Sequence, residues 1–155
     1  MTGAATIDIA QPVIVYIDGS CIGNPGPGGW GYTMRRGDKV REDHGHVSDT
    51  TNNRMELQAA IEALSIIMAG STVEVFTDSQ YVQKGMSSWL PAWKAKGWRK
   101  ASGAPVGNVD LWQSLEQLAG LRRVSWRWVK GHSGDSGNER ANYLAQRAAK
   151  QAKST

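Results

Sequence analysis

A chain of 155 residues, 40% hydrophobic and 21% charged with a net charge of +4, has the size of one domain and a water-compatible balance, which argues against a disordered or membrane-embedded protein. The single cysteine, Cys21, rules out an internal disulfide, and its plain reading is a small half-buried side chain. The early apolar run from Val13 to Ile17 stops at Asp18, too short for a signal core or a membrane span, so a cytoplasmic address is expected, with one unit over 1–155, a core of about 13–149 and short flexible tails.

In chain order, "VIVYID" is apolar and β-branched up to its final acid, the pattern of a strand covered on both faces near the middle of a sheet. "GSCIGNPGPGG" is dense in glycine and proline and reads as a turn, after which "WGYTMRR" and "KVREDHGHV" flank Gly37-Asp38 as the arms of a hairpin. His44 and His46 fall on one side of the third strand by alternation, where an edge-strand surface explains them as well as a metal site does. From Asn53 to about Ala69, Leu57, Ala60, Ile61, Leu64 and Met68 recur at helical spacing, with Gly70 as the stop. "TVEVFTD" then reads as a strand, and a strand, helix, strand succession normally makes a right-handed parallel crossover. Helical sequence continues in "SQYVQKGM", through the tryptophan-rich stretch beyond it, and in "NVDLWQSLEQLAGL". "RVSWRWV" alternates and supplies a fifth strand, and a last helix starts near Ser136, where Ser136 and Glu139 have the spacing of a capping box.

A positive net charge permits an anionic partner without demanding one, so its distribution matters more. Between Asp78 and Asp110 there is no acid at all, while Lys84, Lys94, Lys96, Arg99 and Lys100 alternate with Trp89, Trp93 and Trp98. The stretch is either a solvated helix face with tryptophans in the core or a surface that follows a phosphate backbone, and large rings among cations, with proline and glycines nearby, favour the second.

In open α/β sheets, sites form at the carboxyl ends of parallel strands. Asp18 and Asp78 each end such a strand, and if the strands are neighbours their ends lie roughly 4.8 Å apart. Glu56, in the first turn of the crossover helix, projects near the same edge. Each acid also has a plain reading: Asp18-Gly19 as a turn, Glu56 three residues after Asn53 as a capping box, and Asp78 before Ser79 as a helix cap. Taken jointly, only Arg54 supplies an evident nearby cation, and two carboxylates about 4 Å apart repel by roughly 4 kcal/mol at an effective dielectric near 20. A magnesium ion, which prefers a few hard oxygen ligands completed by water, is the natural remedy.

The blocks "DGSCIGNPGPGGWG", "TTNNRMELQAAIEAL", "TDSQYV", "WKAKGW", "NVDLWQ" and "WVKGHSGDSGNERAN", in this order from about Val13 to Ala149, resemble the type 1 ribonucleases H, bacterial members in particular. The resemblance implies an α/β ribonuclease H-like fold, a five-stranded mixed sheet of order 3-2-1-4-5 with helices around it. It also implies endonucleolytic cleavage of the RNA strand of RNA/DNA hybrids by a two-metal route leaving 5'-phosphate and 3'-hydroxyl ends, with two Mg2+ bound alongside substrate and Mn2+ as an open alternative. No obligatory protein partner follows, and a monomer is expected. Asp18, Glu56 and Asp78 match the family's first three metal-binding acids. His132, in the glycine-rich loop, matches a histidine thought to assist proton transfer or product departure.

Substrate contacts are implied in the same way. Asn24, Asn52 and Gln80, with Cys21 close by, match residues that reach the hybrid's minor groove, where RNA is told from DNA by its 2'-hydroxyls. Thr51, Asn53 and Arg54 lie where the family grips the DNA strand. Trp89, Trp93, Lys94 and Lys96 match a basic protrusion that raises affinity without choosing bases. The family's fourth metal-binding acid is replaced here by Asn142, whose amide oxygen can touch a cation but carries no charge. The sequence leaves open whether Asn142 is natural or was introduced to slow turnover. A catalytically weak or inactive hybrid-binding module is therefore the alternative to a nuclease. A transposase or exonuclease relative is disfavoured, because such relatives match this chain only around the acids.

Overall fold

The computed structural model of the chain describes residues 11–131 and 134–154. Five strands, β1 (Val13–Cys21), β2 (Gly26–Arg36), β3 (Lys39–Thr50), β4 (Thr72–Thr77) and β5 (Arg123–Trp128), form one sheet in the order β3-β2-β1-β4-β5. β2 is antiparallel to β1 and β3, while β4 runs parallel to both β1 and β5. This is the mixed α/β sheet that the motifs predicted. The helices are α1 (Asn52–Ser65), α2 (Gln80–Lys84), α3 (Leu90–Ala95), α4 (Val109–Gly120) and α5 (Ser136–Ser154), with a π-helical turn, Gly85–Trp89, joining α2 to α3.

The central position of β1 follows from its composition. Val13, Val15 and Ile17 join Val73 and Val75 of β4 in a core closed by Leu57, Ala60 and Leu64 of α1 and by Trp112 and Leu115 of α4. The alternate residues turn to the opposite face: Tyr16 stacks on Phe76 with ring centroids 4.9 Å apart, and Gly137 of α5 lies against the Tyr16 ring. α5 covers this face through a row of buried alanines, Ala141, Ala145, Ala148 and Ala149. Its close seat depends on β2. A Cβ on Gly29 would lie 2.5 Å from the Ala145 carbonyl oxygen, and one on Gly31 would lie 2.7 Å from Leu144 Cβ.

Three local readings are corrected. The glycine-rich stretch after Asp18 is mostly strand, because β1 runs to Cys21 and β2 starts at Gly26; its glycines serve helix packing more than turning. α1 ends at Ser65 rather than near Ala69, and its cap is Thr51, whose Oγ1 accepts from Arg54 N–H at 3.2 Å. The last helix is capped by Asp135, whose Oδ1 accepts from Asn138 N–H at 3.1 Å, and not by Ser136. The hairpin at Gly37-Asp38 is as read, with Arg36 paired to Lys39. Among the described residues, no helix is long and apolar enough to cross a membrane.

Candidate functional site

β1 and β4 are parallel and paired up to Ile17 opposite Thr77, so Asp18, which stays in β1 opposite Gly31 of β2, and Asp78, just past β4, stand side by side at the carboxyl end of the shared ladder. Glu56 joins them because α1 presses onto the end of β1: a Cβ on Gly19 would stand 2.5 Å from Glu56 N and 2.6 Å from the Met55 carbonyl carbon. One carboxylate oxygen from each of Asp18, Glu56 and Asp78 lies within 4.8 Å of the others. The capping readings of Glu56 and Asp78 fail on geometry. Glu56 is only 3% exposed and faces Asp18, and α2 is capped by Ser79, whose Oγ accepts from Val82 N–H at 3.2 Å.

Uncharged donors hold Asp18. Its Oδ1 accepts from Gly19 N–H at 2.9 Å, and its Oδ2 accepts from Asn142 Nδ2 at 2.7 Å. Burial, then the nearby charge of Asp78, push the Asp18 carboxyl up to about 6, while the Asn142 and Gly19 bonds pull the other way. Glu56 is raised well above the ordinary carboxylate range by burial first and by Asp18 and Asp78 next. Its Oε2 is buried with no hydrogen-bond partner. Converging acids that resist ionisation, with an orphaned buried oxygen among them, are what a hard divalent cation satisfies, so the residues present fit such an ion. Asn142 stands at the same cluster through its bond to Asp18. His132 lies outside the described residues.

The other residues singled out in the sequence fall into three groups. Cys21, Asn24, Thr51 and Asn52 lie where the β1–β2 connection meets the start of α1: Cys21 Sγ–H donates to the Thr50 carbonyl at 3.4 Å, and Asn24 Oδ1 accepts from Asn52 N–H at 2.9 Å. Asn53 is exposed on α1, and Gln80 opens α2 just past Asp78. Arg54 turns outward into a fork with Asp110, at 3.1 and 2.8 Å, and also donates to Asn108 Oδ1. Asn108 and Trp112 in turn both donate to the Tyr81 hydroxyl at 3.0 Å. The sequence reading singled out neither Asn108 nor Asp110 individually; the signal available was their place in "NVDLWQ" opposite Arg54.

The tryptophan lobe divides its rings between packed and exposed positions. Trp93 packs between Trp89, Trp98 and Trp112 at centroid distances of 5.8, 6.3 and 5.1 Å, so its ring chiefly anchors α3 to the body. Trp89 keeps 38% of its surface exposed. Lys94 is tied to Glu116 at 3.2 Å, whereas Lys96 and Lys100 are exposed and take part in none of the ion pairs found among the described residues. His44 and His46 belong to no metal-binding cluster among the described residues, which leaves the strand-surface reading.

The family model described as RNase H matches residues 10–150. The chain is 55% identical over 137 residues to a ribonuclease H of Cupriavidus pinatubonensis, covering 88% of this chain and 94% of that one. It is 56% identical over 142 residues to that of Verminephrobacter eiseniae, covering 90% and 92%. Among solved structures, LC9-RNase H1, a type 1 RNase H with the type 2 active-site motif, superposes with a TM-score of 0.83 at 37% identity, covering 95% of this chain and 75% of that one. A family match over nearly the whole chain, relatives of more than half identity and the same sheet order place the chain in the type 1 ribonuclease H family.

Proposed function

We propose that the chain is an endonuclease that hydrolyses the RNA strand of RNA/DNA hybrids with Mg2+ held by Asp18, Glu56 and Asp78. The observation that carries this reading is the meeting of three acids, from β1, α1 and the end of β4, within 4.8 Å of one another. Bound ions supply Lewis acidity and an activated water for in-line displacement at phosphorus, leaving 5'-phosphate and 3'-hydroxyl ends. Asp18 is preset for this by its Gly19 and Asn142 bonds, and Glu56 keeps one oxygen unspent. Asn142 offers an amide oxygen once its nitrogen releases Asp18. His132 serves proton transfer or product departure.

Selection of substrate falls to the surface around the acids. Cys21, Asn24, Asn52 and Gln80 read the wide minor groove, where 2'-hydroxyls mark the RNA strand. Thr51, Asn53 and Arg54 hold the DNA strand, with Arg54 pre-aimed by Asp110. Trp89, Trp93, Lys94 and Lys96 extend the contact along the backbone and add affinity rather than sequence preference.

A second reading, a hybrid-binding module with little or no catalysis, is favoured by one feature: Asn142 occupies an oxygen of Asp18 as a donor and brings no charge of its own. Against it stand relatives of more than half identity that are ribonucleases H over nearly the whole chain. Labelled RNA/DNA hybrid, double-stranded RNA and duplex DNA, each incubated with the chain and Mg2+, separate the readings. Scission of the hybrid's RNA strand alone supports the nuclease, and tight hybrid binding without scission supports the module.

A further inference from the structure

Asp78 is the half-buried member of the acid cluster and lies just beyond the last residue of β4. The parallel ladder ends there: Thr77 is the final partner of Trp128, and Val129 N–H closes it with a 2.9 Å bond to the Thr77 carbonyl. The next carbonyl, that of Asp78, is met by the side chain of Trp128, whose indole Nε1–H donates to it at 3.1 Å. Trp128 keeps 45% of its surface exposed. More than half of the Trp128 surface is therefore covered, and its polar edge has in addition a backbone partner.

Gly131, three residues on, lies against the other end of Asp78. A Cβ there would stand 2.8 Å from Asp78 Oδ2 and 3.4 Å from Asp78 Cβ, so the backbone at 131 packs directly on the carboxylate. Asp78 is thus bracketed, with its peptide carbonyl on Trp128 and its carboxylate on Gly131. Both brackets belong to the segment that leads from β5 to α5.

On the reading of the acid cluster as the centre for hybrid cleavage, the structure assigns to Trp128 and Gly131 the role of positioning residues that fix the aim of Asp78. The indole N–H holds the plane of the Asp78–Ser79 peptide, and the missing side chain at 131 leaves the space that the carboxylate occupies. Groups that orient a ligating side chain typically change metal affinity or activity by 10–100-fold when removed. One hydrogen bond to a backbone carbonyl belongs at the lower end of that range.

The test uses the full chain and two variants. Trp128→Phe keeps the ring and removes the donor, and Gly131→Ala intrudes on the carboxylate without touching Trp128. Three readouts are needed: melting temperature in EDTA, Mn2+ binding to the substrate-free protein by calorimetry, and kcat and KM for hybrid cleavage across Mg2+ concentrations. The expected result is about tenfold weaker Mn2+ binding and a similar rise in the Mg2+ needed for half-maximal rate in both variants, with kcat lowered at limiting metal, KM for hybrid unchanged and melting in EDTA little altered. Unchanged Mn2+ binding and Mg2+ requirement in both variants overturns the assignment, as does a Trp128→Phe chain that fails to fold, since the ring would then be a stability element. If the parent binds Mn2+ and the variants bind it tenfold more weakly, yet the parent never cuts hybrid, the cleavage reading fails while the positioning of Asp78 stands.

Discussion

Asn142 Nδ2 donates a 2.7 Å hydrogen bond to Asp18 Oδ2, joining α5 to β1 on the sheet face that α5 covers. An aspartate in its place would set a carboxylate against Asp18 where a donor now stands. Without metal that exchange costs a hydrogen bond to a charged group, about 1.5–3 kcal/mol, and adds like-charge repulsion. Asn142→Asp is therefore expected to melt several degrees lower in EDTA, to recover more on addition of Mg2+, and to cleave hybrid faster than the parent at limiting metal. Calorimetric melting with and without Mg2+, beside an initial-rate assay, checks this; equal behaviour of the two chains removes position 142 from the metal centre.

The raised carboxyls give the metal-free protein a defined pH response. The unfolded chain loses these protons near pH 4, the folded chain only around 6 for Asp18 and well above the ordinary carboxylate range for Glu56. Between those values the folded state binds more protons, so this contribution to stability is fully present below about pH 4 and is lost as pH rises through 6 and beyond. Melting in EDTA, followed over that range, is expected to show this decline against the background of other groups, and Mg2+ is expected to flatten it by favouring the ionised acids. A Mg2+-independent profile would mean that the acids do not share a cation.

Gly19→Ala tests how the cluster is assembled. The added methyl would fall within 2.6 Å of the Met55–Glu56 backbone, which no rotamer change can relieve. Overpacking of this kind costs about 1–3 kcal/mol, so the urea midpoint should drop and Mg2+ binding should weaken as α1 is levered away from β1. A variant with the parent's midpoint would show that the helix has slack at this contact.

Much of this geometry was legible in the sequence. An acid after each of two apolar strand patterns and a helix carrying Glu56 sufficed to predict the cluster, although β1 itself runs past Asp18 to Cys21. The local caps were less legible. Ser136 and Glu139 have capping-box spacing, yet Asp135 takes the role, and Thr51 rather than Asn53 caps α1, since several short polar residues in a row compete and only the path of the chain decides. Gly29 looked like a turn residue because composition does not distinguish a glycine needed for bending from one needed for close approach. Trp128 and Gly131 drew no attention as site residues, because a backbone carbonyl past the end of a strand leaves no mark in the sequence. The π-helical turn at Gly85–Trp89 was likewise unreadable from periodicity.

The lobe makes a prediction about salt. Replacing Lys96 and Lys100 by alanine should lower the slope of log affinity for hybrid against log salt by up to about 0.9 per lost phosphate contact, somewhat less for a hybrid than for B-DNA. Lys94→Ala should change it less, because Lys94 already pairs with Glu116. Fluorescence anisotropy in a salt series without Mg2+ gives the slopes, and a slope unaltered by all three substitutions would make these cations solvated surface.

The most direct test of the acid cluster is single-turnover hydrolysis of an RNA/DNA hybrid labelled on the RNA strand, with the parent and Glu56→Gln compared over a Mg2+ series. The parent should cut the RNA only when Mg2+ is present, and Glu56→Gln should be slower by about 100-fold or more, equivalent to roughly 2.7 kcal/mol of barrier, while melting no lower in EDTA. Scission by the parent in EDTA, or a Glu56→Gln chain that keeps the parent's rate at every Mg2+ concentration, would contradict the assignment of Asp18, Glu56 and Asp78 as the ligands of a catalytic cation.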